Sequence, residues 1–558
     1  MPPDSSSDGQ NAYLAAVFKH RWIILIGLVT AAIMEVLDTT IVNVALPQMA
    51  GNLGATNQEV GWVSTGYILS NVVVLPMTAF LAGRFGRKNY LIASILIFIA
   101  ASFLCGTSHS LVELVSWRIC QGAGGAALLS TAQATITQIF PPKEQGVVQT
   151  VFILGIVVAP TLGPTLGGFI TDNYTWSWCF FINVPIGIVS AFLVFNYLQD
   201  SPDSKVTARI DFFGIGLLTV GLGCLQFVLE EGQQDDWFQS NLILRLSFVS
   251  AVCLIILVWW QLSPKNSAPV IDFRVLRNRQ LTACCCLFIA LGFGLYGGTY
   301  LFPLFTQEVL GFTATETGLA LLPGGIATAV AAIVCGRLLN GPRAIDPRIV
   351  IFTGLALFVG SMWALGHLTT QSGQSDTSIA LIVRGFGLGC LFVPLNQVAY
   401  ASIQPTQAQQ ASGLINLSRQ LGGSFGIAIL GTYLTSHIQF HRANLVNDIN
   451  LGNPAALRNL SVFTAGLESH GYSAPTAARA AYGVLDGVLM RQASTMAYND
   501  GFLLILVSFV VLAPAVLVIK RAKVKPAPES NSTPAPEPKP ESDREALPVN
   551  RRPAAELL

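Results

Sequence analysis

The sequence predicts an all-α membrane protein of about fourteen transmembrane helices, two six-helix lobes joined by two linking helices. Three observations carry this. Of the 558 residues 52% are hydrophobic and only 11% charged, against roughly 25% charged in an average soluble domain. The apolar residues fall in runs of the roughly 20 residues that cross some 30 Å of hydrocarbon. A weak internal repeat relates the two halves: WRICQGAGGAALL in the fourth run answers to VRGFGLGCLFVPL in the twelfth, and LGPTLGG in the fifth to RQLGGSFG in the thirteenth. In both halves the following run opens at a glycine, Gly146 or Gly413.

The runs lie near 22–46, 60–82, 90–107, 111–139, 147–170, 178–198, 212–229, 242–262, 282–305, 318–339, 349–365, 379–402, 412–437 and 501–520. They divide the chain into an N-terminal cytoplasmic segment (1–21, with 1–10 polar and disordered), a first lobe (22–198), linking helices and loops (199–281) and a second lobe (282–520). The polar stretch 439–500, with amphipathic pieces, reads as an extracytoplasmic excursion, and the Pro-, Ser- and Glu-rich stretch 521–558 as a disordered cytoplasmic tail.

Basic residues cluster in alternate loops: Arg84, Arg87 and Lys88; Lys143; Lys205 and Arg209; Lys265, Arg274, Arg277 and Arg279; Arg343 and Arg348; and Lys520 to Lys525. The positive-inside rule puts that side, and both termini, in the cytoplasm of a multi-pass cell-membrane protein. A net charge of +1 points to no nucleic-acid partner. The ten cysteines sit in or beside apolar runs without metal-site spacing and read as packing residues, so no metal or cofactor is expected. No phosphate-cradling G-x-x-x-x-G-K-[ST] loop and no nucleophile–base set is present, so neither ATP-driven pumping nor an enzyme is indicated. Energy then comes from an ion gradient or from the substrate's own gradient.

Charge inside the membrane is the strongest local signal, because an ionisable residue there is costly. The stretch LDTTIVNVALP places Asp38 in the first run. With Glu35 at zero and about 100° per residue, Thr39 falls near 40°, Asn43 near 80° and Asp38 near minus 60°, one polar arc facing the interior. At 1.5 Å per residue Asp38 lies about 24 Å from the inner end of its helix, and Arg118 about 10 Å from the outer end of the fourth. The two are level in the outer half of the membrane. Such a carboxylate beside an arginine either takes up and releases a proton during transport or forms a static pair that locks two helices. Glu35 is a second proton carrier or a satisfied polar contact.

Gly155, Ala159, Gly163 and Gly167 recur every four residues in GIVVAPTLGPTLGG, a stripe that lets helices approach closely, with Pro160 and Pro164 as local kinks. The GRFGRKN turn, with Gly83, Gly86, Arg87 and Lys88, is a cytoplasmic gating loop or only a topology-setting basic turn. Arg384 and Arg419 are further embedded charges, functional or internally paired.

In their order along the chain, LDTTIVNVALP, GRFGRK, RICQGAGGA, APTLGPTLGG and DNYTWSWCFFINVPIG resemble the major facilitator superfamily, and within it the fourteen-span drug:proton antiporters of the EmrB/QacA type, closest to the EmrB branch. The resemblance covers residues 22–520. It implies proton-coupled multidrug efflux of hydrophobic or amphiphilic compounds across the inner (cytoplasmic) membrane, Asp38 as the coupling acid, Arg118 as the arginine linked to proton transfer, and Gly163, Pro164, Gly167 and Gly168 as the antiporter motif. It also implies a periplasmic adaptor of the membrane-fusion class where the cell has two membranes. One departure stands out. The superfamily's loop acid, three residues before the glycine of GRK, is replaced here by Gly83, as in EmrB-like members. The rival readings are a specific metabolite or siderophore transporter of the same fold and a non-transporting membrane sensor or scaffold.

Overall fold

The computed structural model describes residues 5–199, 210–266, 269–340, 345–404, 407–447, 449 and 453–519. The expected disordered tail lies outside these residues. The bundle is built from α1 (Ser5–Leu53), α2 (Trp62–Phe85), α3 (Arg87–Gly106), α4 (Leu111–Ile139), α5 (Pro142–Asn173), α6 (Trp178–Tyr197), α7 (Phe212–Glu231) and α8 (Asn241–Leu262). It continues with α9 (Arg279–Leu304), α10 (Ala314–Asn340), α11 (Pro347–Leu365), α12 (Gln374–Ala401) and α13 (Ala408–Asn447), then α14 (Pro454–Ser469) and α15 (Ala474–Leu512).

Among the described residues eleven helices are long and apolar enough to cross a membrane, or twelve with the bent α5. The sequence led to about fourteen, and the difference lies in α4 and α13, which are long enough to span but are not among the helices apolar enough to do so. They fall short on hydropathy because their polar residues, among them Arg118, Gln121, Gln409 and Arg419, are buried inside the protein rather than facing lipid. Pro160 has the effect foreseen: α5 bends by 42° between Pro160 and Leu162.

Helix ends follow from local chemistry. α1 starts at Ser5, well before the apolar run that begins at Trp22, and so includes part of the stretch expected to be disordered; its alanines and leucine favour propagation of the helix. Gly54, at φ +64°, ends it. Ser110 caps α4 by accepting the Glu113 N–H at 3.3 Å. Asp211 caps α7 at the Gly214 N–H (2.8 Å) and also accepts from Trp260 (3.0 Å) and Asn266 (2.7 Å), tying α7 to the end of α8.

One buried core joins α1, α3, α4, α5 and α6, through Ile24, Phe98, Leu128 and Phe152. A second joins α9 to α13 and α15, through Phe288, Phe358, Leu391 and Phe502. The linking helices α7 and α8 pack with α2 and Leu414 of α13. Across the seam between the two halves, toward the end carrying the GRFGRK turn, Gln409 donates to Thr131 (3.1 Å) and Ser412 to the Ser130 carbonyl (2.8 Å). Toward the opposite end Thr315 donates to Asp172 (3.3 Å), and Trp237, between the linking helices α7 and α8, donates to Thr432 of α13 (2.9 Å).

The stretch 439–500 is largely helical. α13 and α15, with 40 and 39 residues, are about 60 Å long at 1.5 Å per residue, twice the hydrocarbon thickness. The last helix therefore begins at Ala474 and not at Gly501. Arg442 pairs with Asp486 (2.7 Å) and His441 with Asp500 (2.7 Å) across the two helices. Tyr498 and Arg491 fasten α15 to Glu308 (2.6 Å) and to the Val309 carbonyl (2.7 Å).

Candidate functional site

Asp38 and Arg118 touch. The carboxylate is 0% and the guanidinium 1% exposed, and Arg118 Nη1 donates to Asp38 Oδ2 at 2.6 Å. The other carboxylate oxygen accepts from Gln121 Nε2 (2.9 Å) and Asn183 Nδ2 (2.8 Å). Both amides also donate to Ser102 Oγ, each at 3.2 Å. Arg118 spends its Nε on the Val63 carbonyl (2.9 Å) and a further bond on Gln121 Oε1 (2.8 Å), and it stacks over Tyr67, 4.3 Å from the ring centre. α4 and α6 thus bond the Asp38 carboxylate of α1 directly, and α2 and α3 hold the groups that do so. Gln121, Asn183 and Ser102 had gone unmarked: neutral polar residues in helices carry little signal, although Gln121 and Asn183 stand inside motifs already singled out.

Glu35 lies on the same buried side of α1 but in a separate setting, 6% exposed. Its carboxylate accepts from the Leu129 N–H (2.9 Å) and Asn71 Nδ2 (3.3 Å). Unlike Asp38, it has no ion-pair partner among the described residues. Leu129 also lines a cavity between the halves, together with Gln133, Asn396, Asn416 and Arg419.

The glycine stripe of α5 lies against α1 beside the Asp38 turn. A Cβ on Gly163 would collide with Thr40 Oγ1; one on Gly167 would come within 2.8 Å of the Ile41 carbonyl, and one on Gly155 within 2.8 Å of Ile33. Ala159 is buried in the same packing. Gly168 faces elsewhere, with Thr315 of α10 as its neighbour at 3.8 Å. Pro164 is accommodated within the helix.

In the GRFGRK turn Gly86, at φ +87°, makes the reversal between α2 and α3, and Lys88 lies 5.3 Å from the Phe195 ring centre. Arg87 belongs to the first turn of α3. Gly83 has open space around it. Gly86→Ala is therefore expected to lower thermal stability by about 1 kcal/mol, and Gly83→Ala to leave it unchanged or slightly raised, as read by thermal unfolding of the detergent-solubilised protein.

Arg419 and Arg384 lie apart from the Asp38 cluster, each 5% exposed. Arg419 reaches the Tyr296 hydroxyl (3.5 Å) and Asn416 (3.4 Å). Arg384 donates to the Leu295 carbonyl (3.3 Å). Among the described residues neither stands within ion-pair distance of a carboxylate, although Arg419 is near enough to Glu35 for their charges to interact.

Comparison with known proteins agrees with this architecture. The family model "Major Facilitator Superfamily" matches residues 28–427. The chain is 35% identical over 435 residues to the multidrug export protein EmrB of Escherichia coli K12, covering 78% of this chain and 84% of the relative. It is 32% identical over 496 residues to the fatty acid resistance protein FarB of Neisseria gonorrhoeae, covering 89% and 95%. Two solved structures share the fold: the human organic anion transporter MFSD10 (TM-score 0.52, 14% identity, 91% of this chain and 100% of that one) and a bacterial homologue of the human lysosomal transporter Spinster (TM-score 0.51, 14% identity, 89% and 98%). The chain belongs to the major facilitator superfamily, among its EmrB-type drug:proton antiporters.

Proposed function

We propose that the protein exports structurally diverse hydrophobic and amphiphilic compounds across the cytoplasmic membrane in exchange for protons. The observation that carries this reading is the Asp38–Arg118 pair, 2.6 Å apart and sealed from solvent. A proton arriving on Asp38 removes the charge that holds Arg118 and turns one acceptor oxygen into a donor, so the bonds from Gln121 and Asn183 must rearrange. Thr40, two residues along α1, abuts the glycine stripe of α5, and α5 in turn meets α10 across the seam. Protonation is thereby coupled to the contacts between lobes. Alternating access then opens one end by releasing the Gln409 and Ser412 bonds and the other by releasing that of Thr315. Glu35, hydrogen-bonded to neutral donors and within reach of the Arg419 charge, is a second site for a proton.

The basic-loop asymmetry supports placing the GRFGRK end and both termini in the cytoplasm. The helical arm of α13, α14 and α15 then projects outward, where exposed Val462, Tyr472 and Tyr482 offer a surface to a membrane-fusion adaptor. The test is reconstitution: proteoliposomes with an imposed pH gradient are expected to move a lipophilic cationic dye against its gradient and to stop when a protonophore is added. Dye movement indifferent to the protonophore would refute proton coupling.

A further inference from the structure

The internal repeat exposes an asymmetry in charge. Arg118 in the first lobe is answered by Asp38 on α1, the first helix of that lobe. Arg384 is its counterpart on α12, and α9, the first helix of the second lobe, carries no acid between Arg279 and Leu304. Arg384 is 5% exposed and donates instead to the Leu295 carbonyl of α9, at a long 3.3 Å. Its Nε is buried without a partner, and among the described residues no carboxylate stands within ion-pair distance. A buried guanidinium whose charge is left unanswered is costly.

The guanidinium borders a cavity of about 40 Å³ whose wall is shared by α5 (Pro160), α9 (Leu295, Thr299), α10 (Gly324, Thr328) and α12. Gly298 makes the room on one side of Arg384: a Cβ there would lie 2.7 Å from its Cζ. One water needs roughly 10–15 Å³ of such space, so the cavity takes a few particles of that size and nothing with a chain or a ring. Water alone would fill the volume and leave the charge unanswered. The wall's other polar side chains are Thr299 and Thr328. Their hydroxyls donate to carbonyls of their own helices, 2.9 Å to Tyr296 and 2.9 Å to Gly324, and a rotation about the C–O bond turns either toward an anion.

We propose that Arg384 binds a small monovalent inorganic anion, chloride being the type, in this cavity. The anion gives the second lobe the counter-charge that Asp38 gives the first. Because α5 closes one side of the cavity, it is held where the two lobes meet. Its binding is independent of the export reading and is read without transport.

The full chain in nanodiscs of zwitterionic lipid is heated in chloride and in gluconate, an anion too large for the cavity, at equal ionic strength and pH. Chloride is expected to raise the wild-type unfolding temperature by about 2 °C or more, and bromide to do the same. Arg384→Gln removes the charge and should unfold at one temperature in all three salts. Thr299→Glu brings an acid into the same cavity and should also lose the chloride effect, so the test stands even where Arg384→Gln fails to fold. Equal unfolding temperatures for wild type in chloride and gluconate would mean that water alone fills the cavity, and would overturn the proposal. A chloride effect of wild-type size in either variant would trace it to general salt action and overturn the proposal as well.

Discussion

Asp38→Asn is expected to reduce pH-gradient-driven export by about 100-fold or more, while the protein still reaches the membrane. The amide keeps the shape of the carboxylate but offers one acceptor oxygen where Arg118, Gln121 and Asn183 require two. It also leaves Arg118 buried without a counter-charge, a loss of about 3–5 kcal/mol when one partner of such a pair is removed. Stability and coupling are separated by a second substitution. With Arg118→Gln added, the uncompensated charge disappears, so thermal stability should recover toward wild type, and the coupling energy follows from the double-mutant cycle. Export should not recover, because no group remains at that position to carry the proton. Wild-type export by the double variant would make the pair a static clamp between α1 and α4, the alternative that the sequence left open.

The second large effect is expected along α5. Gly167→Ala places a Cβ 2.8 Å from the Ile41 carbonyl, a backbone atom that moves only if α1 moves. Gly163→Ala sets one against Thr40, whose hydroxyl donates to the Leu37 carbonyl (3.0 Å), next to Asp38. Overpacking of this kind costs typically about 1–3 kcal/mol, and it displaces the turn that holds the acid, so export should fall about tenfold or more in both variants. Gly155→Ala meets a flexible Ile33 side chain and should be milder. Gly168→Ala, with its nearest neighbour 3.8 Å away, should be neutral or should gain up to about 1 kcal/mol of helix propensity. Parallel thermal-unfolding and export measurements test the ranking. Export by Gly167→Ala at the wild-type rate would show that the close approach of α1 and α5 is ordinary packing.

Much of the site could be read from the chain alone because membrane burial makes charge conspicuous. Asp38 and Arg118 stood out as ionisable residues in apolar runs, and helix rise with alternating direction placed them level before any contact was known. The same reasoning was blind to Gln121, Asn183 and Ser102, since a neutral polar residue in a transmembrane helix is unremarkable until neighbouring helices bring it to the same carboxylate or to the amides that hold it. Glu35 shared an arc with Asp38 on a helical wheel, yet neighbouring helices give it a different set of donors. The end of the bundle was misjudged for a related reason. Hydropathy marks where a helix leaves lipid, not where it ends, so α13 and α15 continue past the apolar run, fastened there by Arg442, His441, Tyr498 and Arg491.

What the sequence by itself determined is the class of molecule: long apolar runs that must be helical in lipid, a repeat that pairs two lobes, and a few costly charges at known depths. Only the tertiary structure decided which of those charges are answered. The distance between a charge on one helix and its partner on another depends on helix crossings and on glycines that admit close approach, properties of two surfaces together that no local pattern encodes. That is why Asp38 and Arg118 meet at 2.6 Å, while Arg384, marked by the same repeat, faces a cavity with no acid of its own.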